Sequence, residues 1–533
     1  MVPDAAIDEY LARHGIVENM SEAQKRSEVF GLLQALMVDL CRRVATERNL
    51  RRDDFRCQLM PFGSFGLGGY TRGADMDLVC IGAIYVTRDD FFRVYPSLMR
   101  RTFSRSDLPH IEIIRKTNVP IIKCKILSID VDISYVQTRL GSVPEMINLL
   151  DDTMMEELDE TSVASMDGPR TLQFIKGQIR LEDMPVFRRT LQCIKHWATR
   201  RQLYGKPMGY LNGSTWTFLL VYTYIDFDRT RTNSNRLSTF NLLCLFFSMW
   251  ARWKWPRPVV LTDVIPDRHG QRVDYHTLSE FQDAQMPIVS PCYPVSSCAP
   301  FVTRSSLVAI QREFARAEMQ LKTFHDGYDR LEESKTKQMT RASTLDSMLD
   351  HLFKPLDLVD TYKHFMRVIV LSDTVKSHEI WIRRLARHVP RLVEFLEQDP
   401  HVALARPIPN PINADYRYRT DDGRYNIIEG RLADERSGDS YTGELNPGTL
   451  YTTTYLICLE PKISQSNGAL HQQQPISLDG PVAQFLCDLE DKKHSKDRDV
   501  RFNITMASRQ EVAEMLQQEQ QRKHEEDEDE AEQ

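Results

Sequence analysis

Residues 61–82, PFGSFGLGGYTRGADMDLVCIG, constrain the fold more than any other part of this sequence. A glycine-rich segment leads to two aspartates, Asp75 and Asp77, and then to an apolar run that is typical of a buried strand. Alternate residues of an extended chain point the same way, so the two carboxylates share one face, about 7 Å apart at Cα. The stretch predicts a turn, a carboxylate pair and a buried strand.

The carboxylate pair suggests metal chemistry. Two divalent cations about 3.5–4 Å apart are commonly held by bridging and flanking carboxylates, and hard oxygen ligands favour Mg²⁺ or Mn²⁺ over zinc. Upstream, Gly63 and Ser64 supply a bend and a hydroxyl where we expect a helix to begin, and backbone N–H groups there would hold phosphates. The combination suits nucleotidyl transfer, although an acidic turn is the alternative for the pair taken alone.

A third acid, Asp132, lies on a later predicted strand. In DVDISYVQ, residues 130–137, Val131, Ile133 and Tyr135 share one face, while Asp132 and Ser134 share the other. An acid inside an otherwise apolar strand costs burial energy unless it has a cation partner. The pattern therefore favours a metal site over a chance turn.

Hydrophobic periodicity predicts an α/β first region, a mostly helical middle region and a mixed third region. The predicted helices are 22–48, 185–201, 378–398 and 481–490, and the predicted strands are 78–86, 119–128, 130–137, 449–460 and 500–506.

Composition limits the kind of protein. The 533 residues, 41% of them hydrophobic, allow several domains. The formal net charge is −7, but the last nine residues, EEDEDEAEQ, hold seven acids, so the rest is close to neutral. RNA binding would therefore come from local basic patches. We expect the acidic tail, residues 511–533, to be disordered.

Cysteine use and the N-terminus indicate an intracellular, soluble protein with no membrane contact. The ten cysteines are scattered and form no CxxC pair. The first residues lack the basic and apolar regions of a secretory signal. The most apolar run, residues 216–227, is shorter than the roughly 20 residues of a membrane span.

The layout F-G-S-x-x-L-G…G-x-D-x-D followed by a strand resembles that of the polymerase-beta-like nucleotidyltransferases. The blocks VPIIKCKILSIDVDISYV, FRRTLQCIKHWATRRQLYG, FFSMWARWKWPRPVVL, MPIVSPCYP and YKHFMRVIV follow in order. Together they are similar to eukaryotic poly(A) polymerases of the nuclear type, over nearly the whole chain.

This resemblance implies an α+β multidomain fold. We expect an N-terminal helix and a nucleotidyltransferase palm, with a mixed sheet and helices, at residues 1–175. A helical middle domain that binds nucleotide would follow at 176–350, and an RRM-like α/β domain that binds RNA at 351–510.

The resemblance also implies roles for individual residues. Asp75, Asp77 and Asp132 would be the catalytic, metal-binding triad for two Mg²⁺ or Mn²⁺ ions; Asp132 rather than Asp130 is its third member, in agreement with the face argument. The residues implied in nucleotide binding are Phe62, Gly63 and Ser64 at the triphosphate, Lys123, Lys195 and Tyr204 at the nucleotide, and Gly213 and Ser214 near the base.

The implied activity is template-independent addition of AMP from ATP to RNA 3′ ends, as in mRNA polyadenylation, with release of pyrophosphate. The implied partners are the RNA 3′ end, ATP and 3′-end processing factors. We expect a monomer in the nucleus, with the cytoplasm as alternative. Two other functions stay open: a terminal uridylyltransferase and a catalytically inactive RNA-binding scaffold.

Three positions depart from the family pattern. Gly66 stands where the family usually has arginine, Asn212-Gly213-Ser214 replaces Gly-Gly-Val, and Asp167 replaces an asparagine near the base. These differences leave the metal chemistry intact and concern selectivity for adenine.

Overall fold

The computed structural model describes residues 3–50, 56–232, 236–267, 269, 271–333, 338–431, 445–462, 478–490 and 500–532. The chain divides into two compact units. The first comprises Met1–Trp197, Gly213–Cys298 and Phe314–Phe353, and the second comprises Ala198–Asn212, Ala299–Glu313 and Lys354–Gln533.

The first unit contains a five-stranded sheet in the order β1-β2-β5-β4-β3. Its strands are β1 (Gln58–Pro61), β2 (Met76–Gly82), β3 (Ile111–Ile114), β4 (Ile121–Ile126) and β5 (Ile129–Gln137). β2 and β5 are parallel, and the other neighbouring strands are antiparallel. Leu78 and Ile133 belong to one apolar cluster, whereas Val79 and Val136 belong to another, so apolar side chains cover both faces of the central strands.

Helices surround this sheet and continue into the middle of the chain. Up to Phe353 the described helices are α1 (Asp4–Arg13), α2 (Met20–Glu47), α3 (Gly63–Leu67), α4 (Arg88–Thr102), α5 (Thr153–Glu156), α6 (Glu160–Gln178), α7 (Met184–Arg200), α8 (Gly213–Thr230), α9 (Thr239–Arg252), α10 (Ser279–Gln282), α11 (Arg304–Glu333) and α12 (Gln338–Leu352). Short 3₁₀ turns occur at Leu181–Asp183, Lys206–Met208 and Tyr275–Thr277. The predicted helical character of the middle region is confirmed.

The predicted helices 22–48 and 185–201 and the predicted strands 119–128 and 130–137 correspond to α2, α7, β4 and β5. The predicted strand 78–86 is wrong at its end, because β2 stops at Gly82. There the backbone turns, and the N–H of Val86 donates to the carbonyl of Ala83. Ala83, Tyr85 and Val86 are buried in this turn, whereas Ile84 is exposed, and none of them extends the strand.

The second unit contains a sheet in the order β10-β6-β9-β7, with β8 paired to β9. Its elements are α13 (Leu358–Thr361), β6 (His364–Ser372), α14 (Val375–Ala386), α15 (Val389–Gln398), β7 (Val402–Pro407), β8 (Ile412–Thr420), α16 (Asp421–Ile428), β9 (Leu445–Pro461), α17 (Asp479–Glu490), β10 (Val500–Ala507) and α18 (Arg509–Glu532). The predicted α/β character of this region, with strands near 449–460 and 500–506 and a helix near 481–490, is confirmed.

Helices pack on both faces of this second sheet. On one face, Trp381 of α14 contacts Phe502 with ring centroids 5.0 Å apart, and the Tyr455 hydroxyl donates to the carbonyl of Ile382. On the other face, Ile427 of α16 and Val512 of α18 belong to apolar clusters with residues of β6 and β9. Both faces are therefore buried against helices of the same chain.

The predicted helix 378–398 is two helices, α14 and α15, separated at Arg387 and His388. Pro390 lies in the first turn of α15. A proline there has no N–H to donate, and its ring clashes with the carbonyl four residues earlier, so continuation of α14 through this position is disfavoured.

The expected disorder of residues 511–533 is wrong for the described residues, which are helical in α18 as far as Glu532. Ser508 and Glu511 cap this helix reciprocally through side-chain hydrogen bonds. Val512 and Met515 are buried in the core of the second unit. The acidic composition suggests disorder, but the cap and the two apolar anchors stabilise a helix whose sequence has no glycine or proline.

Most thiols are enclosed by the fold. Cys41, Cys57 and Cys80 are buried close together, and the N–H of Cys57 donates to the Cys41 Sγ. Cys487 on α17 is exposed. In the described ranges, none of the helices has the length and apolar character needed to cross a membrane.

Candidate active site

The register of β2 and β5 places Asp77 directly opposite Asp132. Neighbouring strands lie roughly 4.8 Å apart, so the two side chains are adjacent. Asp75 lies two residues before Asp77, just before β2 begins at Met76. The sheet thus brings together the three acids that the sequence predicts as metal ligands.

Lys123 continues the same row of residues across the sheet. It lies opposite Asp132 in the antiparallel β4–β5 pair, and Glu112 of β3 lies opposite Lys123 in turn. Lys123 is exposed, so its ammonium group is accessible to a ligand. The row therefore places a cation one strand from Asp132 and two strands from Asp77.

The carboxylates repel one another in a partly dehydrated site. Burial, followed by the charges of Asp75 and Asp132, raises the pKa of Asp77 to about 7, although Lys195 acts in the opposite direction. Burial also raises the pKa of Asp132, against the effect of Lys123. The Oδ1 atom of Asp132 is buried and has no hydrogen-bond partner among the described residues. Such a group is stabilised by a bound cation.

Lys195 lies on α7 beside this acidic group. Its side chain is only 7% exposed. Burial lowers the pKa of Lys195 to about 8, while Asp75 and Asp77 raise it by favouring the charged form. A buried amine near two carboxylates is unusual for the surface of an amphipathic helix, where lysine is normally solvated. The site therefore contains one cationic group that can switch charge near neutral pH.

The donor set fits a hard divalent cation, because it consists of carboxylates with an unsatisfied oxygen and mutual repulsion. Across the described part of the chain, however, no three Cys, His, Asp or Glu side chains are positioned closely enough to hold an ion together. The chemistry of the donors supports a metal site, whereas full coordination requires an adjustment of the three carboxylates.

The glycine turn runs directly against the carboxylates. The N–H of Phe62 donates to the carbonyl of Asp77 at 3.0 Å. Gly63 has φ +58°, and a Cβ at this position would lie 2.5 Å from the Asp77 Oδ2. Helix α3 then begins, with its first N–H groups lacking intrahelical partners, and Ser64 is half-buried in its first turn. Phosphates held at this turn would lie beside the acids.

One face of α7 supports this turn, a feature that the sequence interpretation did not identify. The Arg188 Nε donates to the carbonyl of Leu67 at 2.6 Å, and the Gln192 Nε2 donates to the carbonyl of Tyr70 at 2.9 Å. Arg188, Gln192 and Lys195 lie at helical spacing on one face. The sequence signal that could have identified them is their spacing from the predicted Lys195, since residues three and seven positions earlier on a helix share its face.

The structure explains why Gly66 lacks a side chain. A Cβ at this position would lie 2.6 Å from the Leu172 Cδ2 and 2.7 Å from the Pro61 carbonyl oxygen. Backbone cannot move aside as a flexible side chain can, so the arginine expected from the family has no room here. Cationic groups near the turn come instead from Arg188 of α7 and from Lys176 of α6, whose pKa is lowered by partial burial and then by Arg188.

The other predicted residues lie on different elements. Gly213 and Ser214 form the first turn of α8, which packs against α3 within the first unit. Tyr204 belongs to the second unit, where it forms an isolated bridge with Leu211. Asp167 lies on α6 next to Gly168, whose Cα is pressed against the ring of Phe62. Their predicted roles at the nucleotide stay predictions.

Three models of one protein family match the chain in succession. The poly(A) polymerase nucleotidyltransferase domain matches residues 3–179, the poly(A) polymerase central domain matches 186–334, and the poly(A) polymerase predicted RNA binding domain matches 358–526. The family's three domains are therefore present in their expected order.

Curated relatives agree with these matches. Poly(A) polymerase PAPalpha of Candida albicans is 27% identical over 90% of this chain and 82% of its own length. Poly(A) polymerase pla1 of Schizosaccharomyces pombe is 24% identical over 94% of this chain and 87% of its own. Nuclear poly(A) polymerase 1 of Arabidopsis thaliana is 25% identical over 77% of this chain and 55% of its own.

A solved structure of Cid1, described as having RNA terminal uridylyl transferase activity, is 14% identical and has a TM-score of 0.38. The likeness covers 66% of this chain and 97% of that one, and it is too remote to support a conclusion. With its three successive domain matches, the chain belongs to the poly(A) polymerase family.

Proposed function

We propose that this chain is a template-independent polynucleotide adenylyltransferase that transfers AMP from ATP to RNA 3′ ends and releases pyrophosphate. The observation that carries the proposal is the cross-strand pairing of Asp77 with Asp132 beside the Gly63 turn. Carboxylates for a cation, on the neighbouring strands β2 and β5, thereby lie beside a backbone turn for phosphates.

Each residue has a defined part in this proposal. Asp75, Asp77 and Asp132 would hold two divalent ions, Mg²⁺ or Mn²⁺. When bound, these ions lower the pKa of the attacking RNA 3′-hydroxyl and neutralise charge on the leaving pyrophosphate. The backbone at Phe62, Gly63 and Ser64 binds the triphosphate of ATP.

The remaining predicted residues orient the nucleotide. Lys195, held beside Asp75 and Asp77, and Lys123, opposite Asp132, contribute positive charge to phosphate binding. Tyr204, Gly213 and Ser214 contact the nucleotide and its base. Asn212 precedes Gly213 in the sequence, and we propose that the departures at Asn212 and Asp167 affect the choice of adenine.

The domain matches support RNA as the acceptor, since the third is an RNA-binding domain. We propose a palm at 1–175, a nucleotide-binding middle domain at 176–350 and an RNA-binding domain at 351–510. A nuclear relative in Arabidopsis supports a nuclear role in mRNA polyadenylation. There the protein would act as a monomer with 3′-end processing factors.

The test is to offer an oligoadenylate primer with each nucleoside triphosphate separately, with Mg²⁺ or with Mn²⁺. Extension with ATP alone, lost in Asp132→Ala, is the expected result. Extension with UTP in place of ATP would identify a uridylyltransferase. No extension with any nucleotide, together with retained RNA binding, would identify a scaffold.

A further inference from the structure

The sheet of the second unit raises the question of where RNA binds. In an RRM, bases stack on aromatic side chains of an open sheet face. Here Tyr416 and Tyr418 of β8 pack with Ile427 and Ile428 of α16, and Phe502 of β10 packs against Trp381 of α14. These three aromatic side chains of the sheet are thus engaged by helices of the same chain.

Helix α14 presents a basic outer surface. Its inner face, which includes His378, Trp381 and Leu385, is buried. The outer face is the stripe Lys376, Ile380, Arg383 and Arg387, at spacings of four, three and four residues. Three of these four exposed side chains are cations, and Ile380 between them is 47% exposed.

Acidic neighbours do not neutralise this stripe. Glu379, the acid within α14, lies 3.8 Å from Arg383, and both side chains are more than 60% exposed, so the pair is weak. At the start of the helix, the Asp373 carboxylate is engaged by the guanidinium of Arg424, with both oxygens 2.9 Å from Nη2.

Helix stability explains part of the stripe but leaves Lys376 unexplained. Arg383 and Arg387 lie at the C-terminal end of α14, where cations interact favourably with the helix dipole. Lys376 lies in the first turn, where the dipole disfavours a positive charge. An exposed cation at that position is consistent with a ligand that is itself negative.

We propose that this α14 stripe, Lys376, Ile380, Arg383 and Arg387, binds the phosphate backbone of single-stranded RNA. The eleven residue steps from Lys376 to Arg387 rise by roughly 16 Å, enough to follow about three phosphates. Exposed Ile380 offers an apolar contact for a ribose or a base between them. The inference rests on the proposed function, since it takes RNA as the acceptor.

The test uses the full chain and 5′-labelled oligoadenylates, with affinity measured by fluorescence anisotropy at several salt concentrations. The triple variant Lys376→Gln/Arg383→Gln/Arg387→Gln removes three cations from the stripe. The matched control Arg100→Gln/Arg101→Gln/Arg105→Gln removes three exposed cations from the first unit. The slope of log affinity against log salt should fall by about 2 in the stripe variant, with an affinity loss on the order of tenfold.

An unchanged slope and affinity, or equal losses in both triple variants, would overturn the proposal. Unchanged RNA binding by the stripe variant would point instead to an acidic protein as the partner of the stripe. The single variant Lys376→Gln separates binding from folding: RNA affinity should fall while the melting temperature stays equal or rises, because an unfavourable dipole interaction is removed. A lower melting temperature with unchanged affinity would indicate a structural role.

The readout also separates this proposal from the proposed function. In primer extension the stripe variant should raise the KM for RNA, whereas the control Arg100→Gln/Arg101→Gln/Arg105→Gln should keep the activity of the parent protein. If the parent extends no RNA, the proposed adenylation fails, whereas the anisotropy comparison still decides whether the stripe binds RNA.

Discussion

The backbone of Gly63 faces the carboxylate of Asp77 so closely that a methyl group on the glycine would lie 2.5 Å from Oδ2. Gly63 also has φ +58°, a backbone conformation that residues other than glycine rarely adopt. The proposed phosphate-binding turn and the proposed metal ligand therefore depend on each other through the absence of a Cβ at Gly63.

Gly63→Ala should reduce adenylation by on the order of 100-fold or more, because the Cβ displaces Asp77. The matched control is Gly73→Ala. Gly73 also has a positive φ, +77°, but a Cβ added there would have nothing within 4 Å. Both variants should lose about 1 kcal/mol of stability through backbone strain, while only Gly63→Ala loses activity. Equal activity in the two variants, measured by primer extension, would contradict the proposed contact.

Asp132→Asn should lower turnover by on the order of 10³-fold. The metal-free variant should be as stable as the parent protein or more stable, because the substitution removes one of several carboxylates that repel one another. The control is Asp130→Asn, an exposed acid on the same strand that should retain activity. Thermal unfolding without metal, together with primer extension, measures both effects. Loss of activity in Asp130→Asn instead would reassign the third ligand.

Stability of the metal-free protein should decrease as pH rises. The pKa of Asp77 is raised from its ordinary 3.8 to about 7 in the folded state, so the folded state binds the proton more tightly. The stabilisation by this proton is complete below pH 4 and is lost as pH rises through 7. Between pH 5 and 8 the loss of stability should be about 2–3 kcal/mol, absent in Asp77→Asn, and reversed by Mg²⁺ or Mn²⁺. Thermal unfolding from pH 5 to 8 with and without metal tests this, and a flat profile for the parent would refute it.

Lys195 should make ATP use sensitive to alkaline pH. Because the pKa of Lys195 is lowered to about 8, its charge is lost as pH rises above 8, and attraction to phosphate is lost with it. We expect kcat/KM for ATP to fall roughly tenfold per pH unit above that value. Lys195→Arg keeps its charge and should extend activity to higher pH. An identical alkaline limb in Lys195→Arg would exclude Lys195 as the responsible group.

Gly66→Arg, which introduces the family's residue, should destabilise the protein by about 2–3 kcal/mol because Leu172 and Pro61 fill the space. Leu172→Ala in the same chain should recover only part of this loss, since the Pro61 backbone is still present. As a control, Gly31→Arg on α2 has open space at its Cβ and should be neutral or stabilising. Urea unfolding measures all three, and an unaffected Gly66→Arg would show that the turn has another conformation.

Short-range patterns predicted much of the sheet. Alternation in residues 130–137 placed Asp132 and Ile133 on opposite faces, and apolar β2 followed Asp77 as expected. The register that aligns Asp77 with Asp132 could not be read from periodicity, because strand pairing depends on contacts across 55 residues. The family resemblance supplied that missing information.

The differences have local or tertiary causes. Pro390 divided a helix that hydrophobic spacing alone made continuous, and its effect was readable from the sequence. Helix α18 could not be predicted from the sequence, because it depends on the burial of Val512 against the sheet. This burial outweighs the disorder that the acidic composition suggests. Likewise, the contact of Leu172 with Gly66 joins distant positions, so a missing side chain at 66 had no explanation before the fold was known.

The distribution of thiols has a practical consequence. Burial raises the pKa of Cys124 and Cys193 to about 12, so these thiols are both shielded and protonated at neutral pH. Cys487, by contrast, is exposed on α17 in the same unit as the α14 stripe. A maleimide fluorophore should therefore attach to the native protein chiefly at one known position, giving an optical reporter for RNA titrations without prior engineering.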